Sequence, residues 1–132
     1  MRVDIYLNFH GNCEEAFHFY AEALGGTITN VTKHSANLNP SLPEGWGEKV
    51  MHAHLDLGNV ALLGADVPAA QPMRSAYVTL TLDTPADVER VYAALSAGGE
   101  VFMPLQKTFF SEAFAMLRDR FDINWMLLTA NR

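Results

Sequence analysis

The sequence predicts an α+β fold made of two βαβββ modules, whose sheets curl around a shared cup. Three observations carry that expectation. Short runs alternate apolar and polar residues, the period of a half-buried strand. Two amphipathic stretches each open on a capping residue and end on Gly-Gly, as helices do. An offset of 73 residues lays one half on the other: Leu7 on Leu80, Phe9 on Leu82, Gly25-Gly26 on Gly98-Gly99, Ile28 on Val101. Two copies make a paired unit, not a solenoid.

In chain order, VDIYLNF (3–9) is the first strand, with Ile5, Leu7 and Phe9 on one face and Asp4, Tyr6 and Asn8 on the other. GNCEEAFHFYAEALGG follows as a helix. Asn12 suits its N-cap, Glu14 and Glu15 its first turn, and Ala16, Phe19, Tyr20 and Leu24 its apolar stripe. Three strand-like runs come next: 27–34, VMHAHLDLG (50–58) and VALLGA (60–65), the last two joined at a Gly58-Asn59 turn. NLNPSLPEGWG (37–47) is rich in turn formers and reads as a loop. The second half repeats the plan. AYVTLTLD (76–83) is a strand, and Thr84 caps a helix that has Pro85 at its first position. Strands follow at 100–107, 114–120 and 125–130. The expected organisation is one domain, 1–132: module one 1–66, linker 67–75, module two 76–132.

Composition narrows the function classes. The chain has 132 residues, 49% hydrophobic and 18% charged, the balance of a globular domain. A net charge of −6 argues against a general nucleic-acid surface. No apolar run approaches the roughly 18 residues of a membrane span, and the start lacks a secretory pattern. The single Cys13 fits a reducing compartment, so a cytoplasmic protein is expected.

The words YLNFHGNCEEAFHFYAEALGG (6–26), VMHAHLDLG (50–58) and KTFFSEAFAMLRDRFDINWMLL (107–128) resemble the vicinal-oxygen-chelate superfamily, which includes glyoxalase I, extradiol dioxygenases and the fosfomycin- and bleomycin-resistance proteins. Within it the chain is most similar to the PhnB-like branch, whose members are often labelled demethylubiquinone methyltransferases. Ser111-Glu112 stands where the branch has a Gly-Asp-like pair, and Asp122 where it has a turn glycine; Asp tolerates positive φ. No glycine-rich strand-to-helix loop of the kind an S-adenosylmethionine-type cofactor wants is visible, so methyl transfer is not expected, and neither is a cofactor.

The resemblance implies one divalent metal held by about four cup-facing side chains, from the first strand and late in each module. Those positions fall at Asp4 or Ile5, between Leu63 and Asp66, at Tyr77 and at Met126. A thioether or phenol is a poor substitute for carboxylate or imidazole, so no superfamily metal site is expected.

The expected ligand pocket is formed by His52, His54, Tyr6, Tyr77, Phe110, Trp125 and Met126. His52, His54 and Asp56 share one face of a strand by alternation. That pair could hydrogen-bond neighbours, hold a ligand or bind a metal. Glu112, beside Phe109, Phe110 and Phe114, is the one carboxylate that burial could turn into a general base. Cys13 sits where a helix dipole would lower its pKa, or is a small packed residue. Trp46 has three readings: lid, dimer contact or local packing. His10 and His18 read as structural or solvated. The function expected is the binding of a small, partly apolar molecule by a PhnB-like homodimer without the metal. The alternative is a metal-dependent lyase, isomerase or dioxygenase-type enzyme with a non-standard site.

Overall fold

The computed structural model describes residues 1–37 and 39–130; Leu38 of the expected 37–47 loop, and Asn131 and Arg132 at the end of module two, lie outside the described residues. The chain forms two compact units, Met1–Gln71 and Pro72 onward. The expected linker is divided between them and is tied down in both. Val67 donates its amide to the Phe9 carbonyl, and Met73 donates to that of Asp122.

The first unit runs β1 (Ile5–Phe9), α1 (Cys13–Leu24), β2 (Thr27–Lys33), β3 (Val50–Asp56) and β4 (Ala61–Asp66). Its sheet has the order β1-β4-β3-β2, with β1 parallel to β4 and the other pairs antiparallel. The second unit repeats this with β5 (Val78–Leu82), α2 (Pro85–Ser96), β6 (Glu100–Gln106), β7 (Phe114–Arg118) and β8 (Asn124–Thr129), in the order β5-β8-β7-β6. Two βαβββ modules are therefore present, as the repeat implies. The first two strands of each module start 73 residues apart, the helices 72, because the loop entering α2 is one residue shorter; the last two strands start 64 and 63 apart, because the second module lacks most of the loop that precedes β3.

The helix-covered face of each sheet is the core. In the first unit α1 buries Cys13, Ala16, Phe17, Tyr20 and Ala23. The stripe is thus centred on Phe17, and Phe19 and Leu24, expected on it, are half-buried at its margin. The bulky helix residues meet Leu7, Phe9, Leu55 and Leu62 around a small patch in the middle of the sheet, where Ala53 and Gly64 are cross-strand partners. A Cβ on Gly64 would lie 2.7 Å from the Phe17 ring. The second unit has smaller helix residues. Its sheet supplies the bulk, Trp125 and Leu127, and α2 supplies Val88, Val91 and Leu95.

The two helices are capped by different means. Thr84 accepts from the Asp87 amide with its own side chain, as expected. Asn12 holds the N-cap position of α1, but its side chain makes no capping bond. Asp66, from the end of β4, does that work instead. One carboxylate oxygen accepts from Gly11 N and Cys13 N at 2.9 Å each; the other accepts from Val50 N at 2.8 Å. The corresponding β8 residue, Thr129, keeps one of these links, accepting from the Glu112 amide at 3.2 Å. The β7–β8 turn is organised by buried Asp119, whose carboxylate accepts from Phe121 N, Ile123 N and the Trp125 indole. Asp122 follows at φ 69°, the left-handed conformation expected of it.

Candidate functional site

Each sheet has a second face, opposite its helix. On the first, register fixes a row across all four strands: Tyr6, Leu63, His54, Asn30. His52 lies one pleat further along β3, its ring 6.1 Å from that of Tyr6. His52, His54 and Leu63 are half-buried, and Tyr6 is exposed. Partial burial raises the Tyr6 phenol above its ordinary pKa, so it stays a neutral donor.

The corresponding row on the second sheet is Thr79, Met126, Met116, Met103. Beside it runs Thr81, Leu128, Phe114, Gln106, and on the other side Asn124, Arg118, Glu100. A register shift between Val101 and Met103 gives β6 an extra residue, Phe102. Such a bulge turns two consecutive side chains toward one face. Phe102 accordingly meets Tyr77, at 6.4 Å between ring centroids, and stands 5.7 Å from the Arg118 guanidinium. Phe110 packs edge-on against Phe114 at 5.0 Å and so borders the same face.

Several expected site residues stand elsewhere. Trp125 is fully buried on the helix side, one residue out of phase with Met126, and its indole N–H is bonded to Asp119 at 2.8 Å. It belongs to the core and cannot line an open face. Glu112 is exposed, so the apolar burial that a general base needs is missing. Cys13 is fully buried, and that burial raises its thiol pKa strongly, overriding the helix-terminus effect. Trp46 packs against His10 and His34, with ring centroids at 5.7 and 6.4 Å. His34 in turn bonds the Asp66 carbonyl at 2.9 Å. The indole also lines a shallow hollow with Pro40, Leu42 and Pro43 of its own loop.

The residues at the implied metal positions do not fit a divalent ion. Asp4 is bonded to Arg2 at 2.8 Å and to the Ala61 amide at 2.9 Å; the Arg2 hydrogen bond, then that amide, hold its carboxyl below the usual range. Ile5 and Leu63 are apolar, Asp66 is engaged by three amides, Tyr77 by Phe102, and Met126 offers a thioether. Among the described residues no group of three His, Cys, Asp or Glu side chains could hold a metal. His52 and His54 are only a pair.

Sequence reasoning missed Phe102, Met103, Met116 and Arg118. Alternation along β7 was enough to put Met116 and Arg118 beside Met126. Met103 was hidden by the bulge, because strict alternation from Val101 sets Phe102 alone opposite Met116.

Residues 2–127 match the model of the Glyoxalase/Bleomycin resistance protein/Dioxygenase superfamily. Protein YjdN of Escherichia coli (strain K12) is 29% identical over 96% of this chain and 94% of its own length. The crystal structure of protein PA1353 from Pseudomonas aeruginosa is similar at 38% identity and a TM-score of 0.87, with 98% of each chain covered. The fold also matches a putative 3-demethylubiquinone-9 3-methyltransferase, PhnB protein, from Bacillus cereus, at 23% identity, a TM-score of 0.82, and 98% and 100% coverage. Two βαβββ modules and a family match over nearly the whole chain make this protein a member of the Glyoxalase/Bleomycin resistance protein/Dioxygenase superfamily.

Proposed function

We propose that this protein binds a small, partly apolar molecule on an open sheet face, without a divalent ion. One observation carries the reading: Met103, Met116 and Met126 form a cross-strand row, with Leu128 and Phe114 beside them and no carboxylate or imidazole in either row. Methionine is unbranched and polarizable, and it suits surfaces that adapt to a ligand. On the first sheet, Tyr6, Leu63, His52 and His54 would add aromatic contact and imidazole hydrogen bonds. The thioether row has no group that could activate water or chelate a substrate oxygen, and His52 and His54 are only a pair, so sequestration or sensing accounts for the site better than turnover.

The test is titration with the neutral dye Nile red, beside elemental analysis of protein purified without added metal. A saturable, blue-shifted signal that weakens in Met116→Gln, from protein with well under one metal per chain, is the expected result. Stoichiometric zinc, nickel, iron or manganese that is lost in both His52→Ala and His54→Ala would overturn it. It would favour the lyase, isomerase or dioxygenase-type alternative.

The same proposal includes a cytoplasmic homodimer. β6 ends its sheet and β2 the other, each with one side of its backbone unpaired, and such an edge is ordinarily covered. A mass of only 14.6 kDa by light scattering at tens of micromolar would refute the dimer.

A further inference from the structure

The open face of the second sheet also carries a guanidinium held in place. Arg118 follows Met116 by two residues on β7 and so shares its face. Its Nε donates to Asn124 Oδ1 at 2.9 Å, and a terminal nitrogen donates to the Met73 carbonyl at 2.9 Å. Asn124 is buried and is itself fixed by the Met73 and Ala76 carbonyls. The Phe102 ring, brought round by the bulge, lies 5.7 Å from the guanidinium carbon. Two hydrogen bonds and one ring thus set the plane of the fork before any ligand arrives, which cuts the ordering cost of binding. Its remaining N–H groups meet no acceptor among the described residues.

We infer that this face takes an amphipathic monoanion, with an apolar or aromatic body on Met103, Met116 and Met126 and a carboxylate on Arg118. The inference rests on the proposed role of the face in binding a small molecule. A planar fork matches a carboxylate through two parallel hydrogen bonds. Glu100, the cross-strand partner of Arg118, is exposed and makes no ion pair with it among the described residues. One guanidinium with a carboxylate nearby suits a singly charged ligand better than a dianion. Three thioethers in register would also suit a soft monovalent cation, but the fixed positive charge beside Met116 disfavours one.

The experiment compares 1-naphthaleneacetate with its neutral amide, 1-naphthaleneacetamide, by calorimetric titration of the full chain, with Nile red as the uncharged reference. A charge-assisted hydrogen bond contributes enough for the carboxylate to bind about tenfold or more tightly than the amide. Arg118→Gln should bring the two within about twofold, and Arg118→Lys should keep part of the preference, because a point charge replaces the fork. Phe102→Leu, which leaves both hydrogen bonds of Arg118 in place, should weaken the preference even if Arg118→Gln fails to fold. Met116→Gln should weaken carboxylate and amide alike. Equal affinity for carboxylate and amide while Nile red still binds would overturn the anion inference and leave the apolar-binding proposal standing. No binding of any of the three probes would overturn both.

Discussion

Replacing Asp66 with Ala should cost this protein more stability than any substitution on its open faces. The carboxylate is buried and accepts three backbone amides, from Gly11, Cys13 and Val50, at 2.8–2.9 Å. Hydrogen bonds to a charged group contribute about 1.5–3 kcal/mol each, and removing the acceptor also leaves buried donors unsatisfied. The three are not independent, since Gly11 and Cys13 share one oxygen, so we expect a loss of about 4 kcal/mol. That is a large part of the roughly 5–15 kcal/mol that holds a typical domain folded. Asp66→Asn should cost about half as much. Its carbonyl oxygen can keep the two amides at the start of α1, while its NH₂ then faces the Val50 amide, donor to donor. The assay is urea denaturation followed by far-UV circular dichroism, comparing midpoints at unchanged slope. A loss below about 1 kcal/mol for Asp66→Ala would refute the reasoning. It would mean that water or a local shift satisfies the three amides as well as the carboxylate does.

Three further outcomes follow from the packing and the charges. Gly64→Ala should destabilise by about 1–3 kcal/mol through overpacking, because its new Cβ would meet the Phe17 ring. Phe17→Leu in the same chain should recover part of that loss, which a double-mutant cycle reads as coupling. Native Cys13 should resist Ellman's reagent at pH 8 and react only on unfolding, since burial both hides the thiol and raises its pKa. On the acid side, Glu14 has its pKa lowered by its hydrogen bond to Lys33. Its contribution is therefore present above its ordinary unfolded value and fades as pH falls through the folded one. Glu14→Gln should flatten that limb of the stability curve slightly. The partner Lys33, raised by the same bond, loses its share only at strongly alkaline pH.

Local patterning made the architecture legible and left much of the site obscure. Strand faces follow from alternation, so the side of β3 that carries His52 and His54 was readable, as were both helix ends from their glycines. The true cap of α1 was not, because Asp66 lies 53 residues beyond Cys13 and no local pattern links them. Phe17 was legible, because Cys13, Ala16, Phe17, Tyr20 and Ala23 share one stripe at helical spacing and Phe19 lies beside it; the small Gly64 then makes room for the ring. Trp125 was a pocket candidate on chemistry alone, although its own alternation with Met126 sets the two on opposite faces. The thioether row needed the β6 bulge, an irregularity that has no sequence signature as plain as a glycine or a proline.

Every strand ladder among the described residues closes within its own module, and this shapes how the chain reaches its fold. In each half the last three strands pair with sequence neighbours, while the first must wait for the last before it has a partner at all. Local pairings form early, and long closures come late and slowly. The parallel insertion of β1 beside β4, and of β5 beside β8, is therefore the slow step expected of each module. Asp66 acts there as a buckle, joining the end of β4 to the loop that follows β1 once both have arrived. Loop-closure entropy grows only with the logarithm of length, so residues added between Asn39 and Gly45 should barely slow that step. Truncating Leu7, by contrast, should slow folding as well as speed unfolding, because its strand docks in the slow step, as chevron kinetics of Leu7→Ala would show.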